Sequence, residues 1–237
     1  MQAILARIAR IAGRCPSRTA LADGRVSLTY RELKQEIERI GSALQLQRIG
    51  LLLANGCPWA ILDLAAHHRR AACIPMPSFF SDAQLQHLIV DAGLELIISD
   101  QPSRVLNLAQ ARLQKGITVA GRTLACFAVT QAAGRALPPS IAKITYTSGT
   151  TGQPRGACLT GAAMERVTVS LSAAVGAAGE DKSLTLLPFS TLLANIAGIY
   201  APLYSGSTAY VPDLANCGIH GSTAARSDQL IAALLHY

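Results

Sequence analysis

The hydrophobic positions of this chain recur with two different periods. Over 28–45, Leu33, Ile37, Ile40 and Leu44 return at helical spacing. Thr29 stands just before them and Glu32 follows three residues later, the pattern of a capping box, so a helix is predicted there. The stretch 81–93 is marked in the same way, with Ser81 as cap and Gly93 as stop. Residues 58–71 read as another helix. Residues 1–15 read as an amphipathic one, in which Ile4, Ile8 and Ile11 alternate with Arg7, Arg10 and Arg14. Between the helices lie short, largely apolar runs at 48–54, 73–77 and 94–100. Runs of that length between helices read as strands of a parallel sheet covered on both faces.

The second half continues the alternation less clearly. Weak strand signals lie at 116–120 and 124–129, a loop at 136–140, and a strand at 142–149. An Ala-rich helix pattern covers 157–178, a strand 183–188, a helix 192–206, a strand 207–212, and a helix starts at 227. There is no fixed-period repeat and no long linker. Right-handed crossovers between such elements predict an α/β fold: a doubly wound, mostly parallel sheet with helices on both faces, three layers αβα.

Composition narrows the function classes. Of 237 residues, 50% are hydrophobic and 15% charged, which is a globular balance and not a disordered one. The net charge of +7 would suit a polyanion, but the cationic residues are dispersed and only 5% of residues are aromatic. No stacking platform is interleaved with a basic stripe, so nucleic acid is not an expected partner. Cys15, Cys57, Cys73, Cys126, Cys158 and Cys217 show no C-x-x-C spacing, and most read as packing residues in a reducing cytoplasm. The region 183–212 carries no charge and is long enough to span a membrane. Pro188, Asn195, Gly198, Pro202, Ser205 and Gly206 interrupt it, so buried strand and helix pieces are expected in place of a span.

Candidate chemistry concentrates in "TYTSGTTGQPRG", 145–156. Gly149 and Gly152 permit turns that aim successive N–H groups at one anion. Thr147, Ser148, Thr150 and Thr151 add hydroxyls, and Arg155 adds a planar cationic fork suited to phosphate oxygens. The set points to a polyphosphate, yet the Walker A order of Gly-Lys-Ser/Thr is absent. Elsewhere the signals are weaker. Asp63 and Asp91 stand isolated, so no paired-carboxylate site is read. Ser148 lacks the G-x-S-x-G surroundings of a hydrolase nucleophile. His67 and His68, with Arg69 and Arg70, read as cationic residues at a helix C-terminus, and His87 as a surface or rim residue.

"YTSGTTGQPRG" resembles the phosphate-loop signature of the adenylate-forming, AMP-binding superfamily of acyl-CoA synthetases and luciferase-like enzymes. The stretches 28–44, 48–77 and 186–212 resemble further blocks of that family in the same order, so the likeness covers nearly the whole chain. It implies ATP-dependent activation of a carboxylic acid with release of pyrophosphate, then transfer of the acyl group to coenzyme A or a carrier pantetheine. By resemblance Thr147, Ser148, Gly149, Thr150, Thr151, Gly152 and Arg155 would hold the ATP phosphates, and Thr147 would help bind magnesium. No catalytic residue is assigned. Arg155 takes the family's usual Lys position. Ser190 and Thr191 stand where many relatives carry a His or aromatic, and Gly161 where many carry a His.

The family's adenine and ribose segments and its C-terminal small domain have no counterpart in the sequence. Residues 1–237 therefore read as the N-terminal part of an adenylation domain, incomplete relative to the full fold and inactive alone. Such a part is expected to self-associate, or to join its missing half, through the uncharged 183–212 region. A fatty acid is the first expectation for the substrate, because 192–200 is apolar and rich in small residues, and an acyl carrier protein is an expected partner. The rival class is a non-catalytic nucleotide- or polyphosphate-binding or interaction module. An unusual phosphotransferase ranks third.

Overall fold

A computed structural model of the chain describes residues 1–108, 111–130, 137–148, 153–220 and 224–236. Helix α1 (Gln2–Arg14) buries Ile4, Ile8 and Ile11 as its pattern predicts. Strands β1 (Thr19–Ala22) and β2 (Ser27–Thr29) form an antiparallel pair. Helix α2 (Tyr30–Ala43) opens with the complete capping box: the Thr29 side chain accepts from the Glu32 N–H, and the Glu32 carboxylate takes the Thr29 N–H at 2.8 Å. Then β3 (Arg48–Leu52), α3 (Cys57–His68), β4 (Ala72–Pro75), α4 (Asp82–Ala92) and β5 (Leu96–Ser99) alternate as expected. Ser81 caps α4, and Gly93 ends it in the left-handed conformation.

Helix α5 (Pro102–Leu108) leads to β6 (Ala111–Leu113), β7 (Ile117–Val119) and β8 (Arg122–Val129). Strands β9 (Ile141–Thr147) and β10 (Arg155–Thr160) form a hairpin that runs into α6 (Gly161–Val175). After β11 (Lys182–Leu184) comes one helical run: α7 (Leu192–Asn195), a π turn (Ile196–Tyr200) and α8 (Ala201–Ser205). The chain continues through β12 (Thr208–Tyr210), β13 (Ile219–His220), β14 (Ala224–Ala225) and α9 (Ser227–His236).

The main sheet has the order β10-β9-β4-β3-β5-β8-β6, with β7 also on β8. Its centre, β9-β4-β3-β5, is parallel; the β10 edge and the β8 side are antiparallel. Hairpin-length links such as that between β7 and β8 are too short for a crossover and force antiparallel neighbours. Helices cover both faces, and the period of two along each strand divides the core. Ile49, Leu51, Cys73 and Ile98 pack toward α1, α2 and α3. Leu52, Ile74 and Ile97 pack toward α4 and α5. A smaller sheet, β11-β12-β1-β2, lays residues 19–22 parallel to 208–210.

Three readings change. The predicted helix over 157–178 begins only at Gly161, where the Thr160 hydroxyl accepts from the Ala163 N–H at 3.2 Å. Residues 155–160 are instead the strand β10, because pairing with β9 outweighs the helix propensity of a few small residues. β1, β2 and α5 gave no usable pattern: β1 and β2 are only four and three residues long, and α5 makes two turns. The third concerns exposed apolar side chains. Leu187 and Leu193 are exposed within 183–212, but most others lie on α6 and α9. Among the described residues, no helix is long and apolar enough to cross a membrane.

The π turn has a local cause. Pro202 has no N–H to give, and its ring crowds the carbonyl four residues earlier, at Gly198. The turn widens so that the Ala201 N–H reaches Ile196 O. Gly198 also lies against Thr185: a methyl there would overlap Thr185 Oγ1 and come within 2.8 Å of its Cγ2. Gly198→Ala is expected to cost about 1–3 kcal/mol by overpacking. Thr185→Ala should recover part of that loss in a double-mutant cycle read by urea denaturation, and simple additivity of the two changes would contradict it.

Candidate functional site

The hydroxyl-rich stretch caps the carboxyl end of β9. Thr147 and Ser148 are exposed there, and Arg155, also exposed, is the first residue of β10. Thr147 and Arg155 are cross-strand partners, so a hydroxyl and a guanidinium flank the mouth of the hairpin. Arg155 thus stands on a strand, held by a ladder. Gly149, Thr150, Thr151 and Gly152 lie outside the described residues.

Helix α4 grips both arms of this hairpin from one face. His87 Nε2 lies 3.1 Å from the Pro154 carbonyl, just after the loop. A carbonyl only accepts, so the contact requires the Nε2–H form. One turn later Asp91 accepts from the Tyr146 hydroxyl at 2.6 Å, just before the loop. The Tyr146 phenol is pushed well up by burial and by that carboxylate, so it stays a donor. Gly156 makes room for this arrangement, since a methyl there would sit 2.9 Å from Tyr146 Cζ. His87 is therefore a rim residue of the site, and Asp91 is engaged where the sequence showed it alone.

Ligands of open α/β sheets bind beyond the carboxyl ends of the strands. β9 runs parallel beside β4, so the hairpin emerges at the same end as the termini of β3 and β4. A cleft of about 260 Å³ opens there, lined by Leu53, Asn55, Met76, Phe79, Phe189 and Ser190 among others. Ser190 lies on the wall of this cleft, next to Phe189.

Beneath that wall lies a cluster the sequence did not disclose. Lys143 on β9 is fully buried and pairs with Asp63 Oδ1 of α3 at 2.7 Å and with Asn195 Oδ1 at 2.5 Å. Tyr200 donates to Asp63 Oδ2 at 2.5 Å, and His67 Nε2 lies 3.1 Å from the Tyr200 oxygen. Because that hydroxyl spends its proton on Asp63, His67 donates to it from Nε2. Burial alone would raise the Asp63 carboxyl, but the Lys143 ammonium, His67 and the Tyr200 hydroxyl hold it below its usual range. Burial, with Lys143 nearby, pushes His67 down to about 4 against the pull of Asp63. Asp63 is accordingly not isolated, and His67 is a neutral core residue, while His68, Arg69 and Arg70 stay exposed at the helix end. The available signal was a Lys inside an aliphatic strand with an Asp inside an apolar helix, since neither is buried without a partner.

Among the described residues no group of His, Cys, Asp or Glu could hold a metal ion. Thr147 and Arg155, paired across the strands, and the adjacent Ser148 are exposed donors of the kind that suits an anion with many oxygens.

The architecture is that of an open α/β fold with a parallel-centred sheet, which carries this hairpin and a cleft at its carboxyl end. The chain belongs to the AMP-binding enzyme family, whose model matches residues 8–219. It is 26% identical over 217 residues to tyrocidine synthase 3 of Brevibacillus parabrevis, covering 86% of this chain and 3% of that protein. It is 28% identical over 210 residues to the mitochondrial malonate–CoA ligase ACSF3 of Homo sapiens, covering 81% of this chain and 36% of the relative. A malonyl-CoA ligase ternary product complex with methylmalonyl-CoA and AMP bound superposes with a TM-score of 0.64 at 26% identity, over 82% of this chain and 41% of that one. The chain thus spans less than half the length of these relatives.

Proposed function

We propose that this chain is the N-terminal part of an ATP-dependent carboxylate-activating ligase, and that its β9–β10 hairpin holds the ATP phosphates. The observation that carries the reading is the opposition of Thr147 and Arg155 across the hairpin mouth, at the sheet end where the cleft opens. Membership of the AMP-binding family supports it. Thr147, Ser148 and Arg155, with Gly149, Thr150, Thr151 and Gly152, would contact the phosphates, and Thr147 would offer magnesium its hydroxyl. ATP would supply an adenylyl group with pyrophosphate as the leaving group. A carboxylate oxygen bonds to the α-phosphorus, and the bond to pyrophosphate breaks. The role of these residues is to hold that leaving group and spread its charge. Transfer onward to coenzyme A or a carrier pantetheine belongs to the whole protein and draws support from the names of its relatives.

The acid is a carboxylic acid, and a fatty acid is the class to try first. Most of 192–200 packs into the core, but a groove of about 460 Å³ flanks it, lined by Leu171, Val175, Ala197 and Ala201 among others. Acid-dependent pyrophosphate exchange on the whole protein would test this, and a preference for amino or aryl acids would remove it.

For the hairpin, the measurement is a pyrophosphate titration at low salt of wild type, Arg155→Ala and Arg155→Lys. A charge-assisted hydrogen bond contributes about 1.5–3 kcal/mol, so Arg155→Ala should bind roughly 10- to 100-fold more weakly. Arg155→Lys, which keeps the charge and loses the fork, should fall between. Equal binding by all three would sink the reading.

A further inference from the structure

Lys143 lies four residues before Thr147 on the strand that feeds the hairpin. β9 and β4 share one register pair, Cys73 with Lys143, and among the described residues only the edge strand β10 lies beyond β9. The Lys143 side chain adds anchors that the ladder does not. Its ammonium reaches Asp63 on α3 and Asn195 on α7, and it lies over the rings of Trp59 and Tyr200, 5.3 and 5.4 Å from their centroids. Asn195 in turn donates to the Phe189 carbonyl at 2.7 Å. Asn55 accepts from the Phe189 N–H at 2.9 Å and donates to the Leu187 carbonyl at 2.9 Å. Phe189 and Asn55 line the cleft. A run of hydrogen bonds therefore joins the root of the hairpin to the cleft wall.

Stability does not call for an ion pair at this place, because well-packed apolar residues of similar volume are commonly as stable or more so. An apolar contact lacks direction, whereas the ammonium sets its partners at hydrogen-bond distance and angle. Direction matters where two reacting groups have to meet at about 3–3.5 Å. We propose that Lys143 is a positioning residue: through Asn195 it sets the cleft wall 187–190 relative to the β9–β10 hairpin, so that a phosphate group bound at the hairpin is felt at Phe189. The ligand half of this proposal rests on the reading of the hairpin as a phosphate site.

Amide hydrogen exchange on the 237-residue chain tests it, with and without pyrophosphate. Two variants accompany the wild type. Lys143→Met/Asp63→Asn removes both buried charges together, and Asn195→Leu keeps the ion pair but cuts its link to Phe189. Without pyrophosphate, exchange at Phe189 should be about tenfold faster in both variants, with α2 and β5 unchanged. With pyrophosphate, the wild type should slow at Ser148, Arg155 and Phe189, and the variants at Ser148 and Arg155 only. Unchanged exchange at Phe189, or a uniform acceleration over all elements, overturns the proposal and leaves the pair a packing feature. A wild type in which pyrophosphate alters no amide refutes the phosphate reading; the coupling is then judged on the ligand-free exchange alone.

Discussion

Lys143→Met is expected to lower the unfolding free energy by about 3–5 kcal/mol. Met nearly matches the volume of Lys, so the loss is electrostatic. Asp63 has no exposed surface, and the substitution leaves its carboxylate buried with no cation, beside the Tyr200 hydroxyl, the Cys73 thiol and a neutral His67. Removing one member of a buried pair strands the other away from water, and that cost exceeds the net worth of the pair itself. Lys143→Met/Asp63→Asn should therefore be more stable than the single variant, since an amide at 63 can still accept from Tyr200. Urea denaturation of the three proteins decides the matter. A single variant that loses less than about 1 kcal/mol would mean that the pair behaves like a solvated surface bridge.

Acidification from pH 6.5 to 4 should cost the fold up to about 3 kcal/mol through His67 alone. In the unfolded chain this imidazole titrates near 6.5, and in the fold burial pushes it down to about 4. Between those values the unfolded chain binds the additional proton, so stability rises with pH across that window and falls on acidification. His67→Gln keeps an N–H to offer Tyr200 and should flatten this part of the curve. Below the window the loss continues through carboxylates held low in the fold. Asp63 is one, kept down by Lys143, His67 and Tyr200 despite its burial. Stability from such a group is present above its unfolded value and disappears as pH falls through its folded one. Denaturation midpoints at half-unit pH steps provide the test. A wild-type curve that is flat from 6.5 to 4, or a His67→Gln curve of the same slope, would show that His67 is not held neutral.

Much of the fold was legible because local and global preferences agree. Thr29, Glu32 and Leu33 mark the start of α2 whether read as a string or seen in space, and Ser81 and Gly93 mark the two ends of α4. The hairpin residues stood out as candidates for a similar reason: hydroxyls, glycines and one guanidinium lie within nine residues, and the chemistry they would suit needs no distant partner. β10 was not legible, since "RGACLT" becomes a strand only when β9 offers it a ladder. β1 is a comparable case, because its partner β12 lies almost two hundred residues away.

The amino-acid order by itself determined the alternation of helices and strands and the helix caps, and it singled out the short stretch proposed to hold phosphates. Each of these depends on groups within one turn or one loop of each other. Only the tertiary structure decided that Lys143, Asp63, His67, Asn195 and Tyr200 share one buried cluster, and that His87 and Asp91 hold the two arms of the hairpin. Those contacts join residues 52 to 137 positions apart. The charge of a lysine and the protonation of a histidine depend on what surrounds them, and packing between distant elements supplies those surroundings.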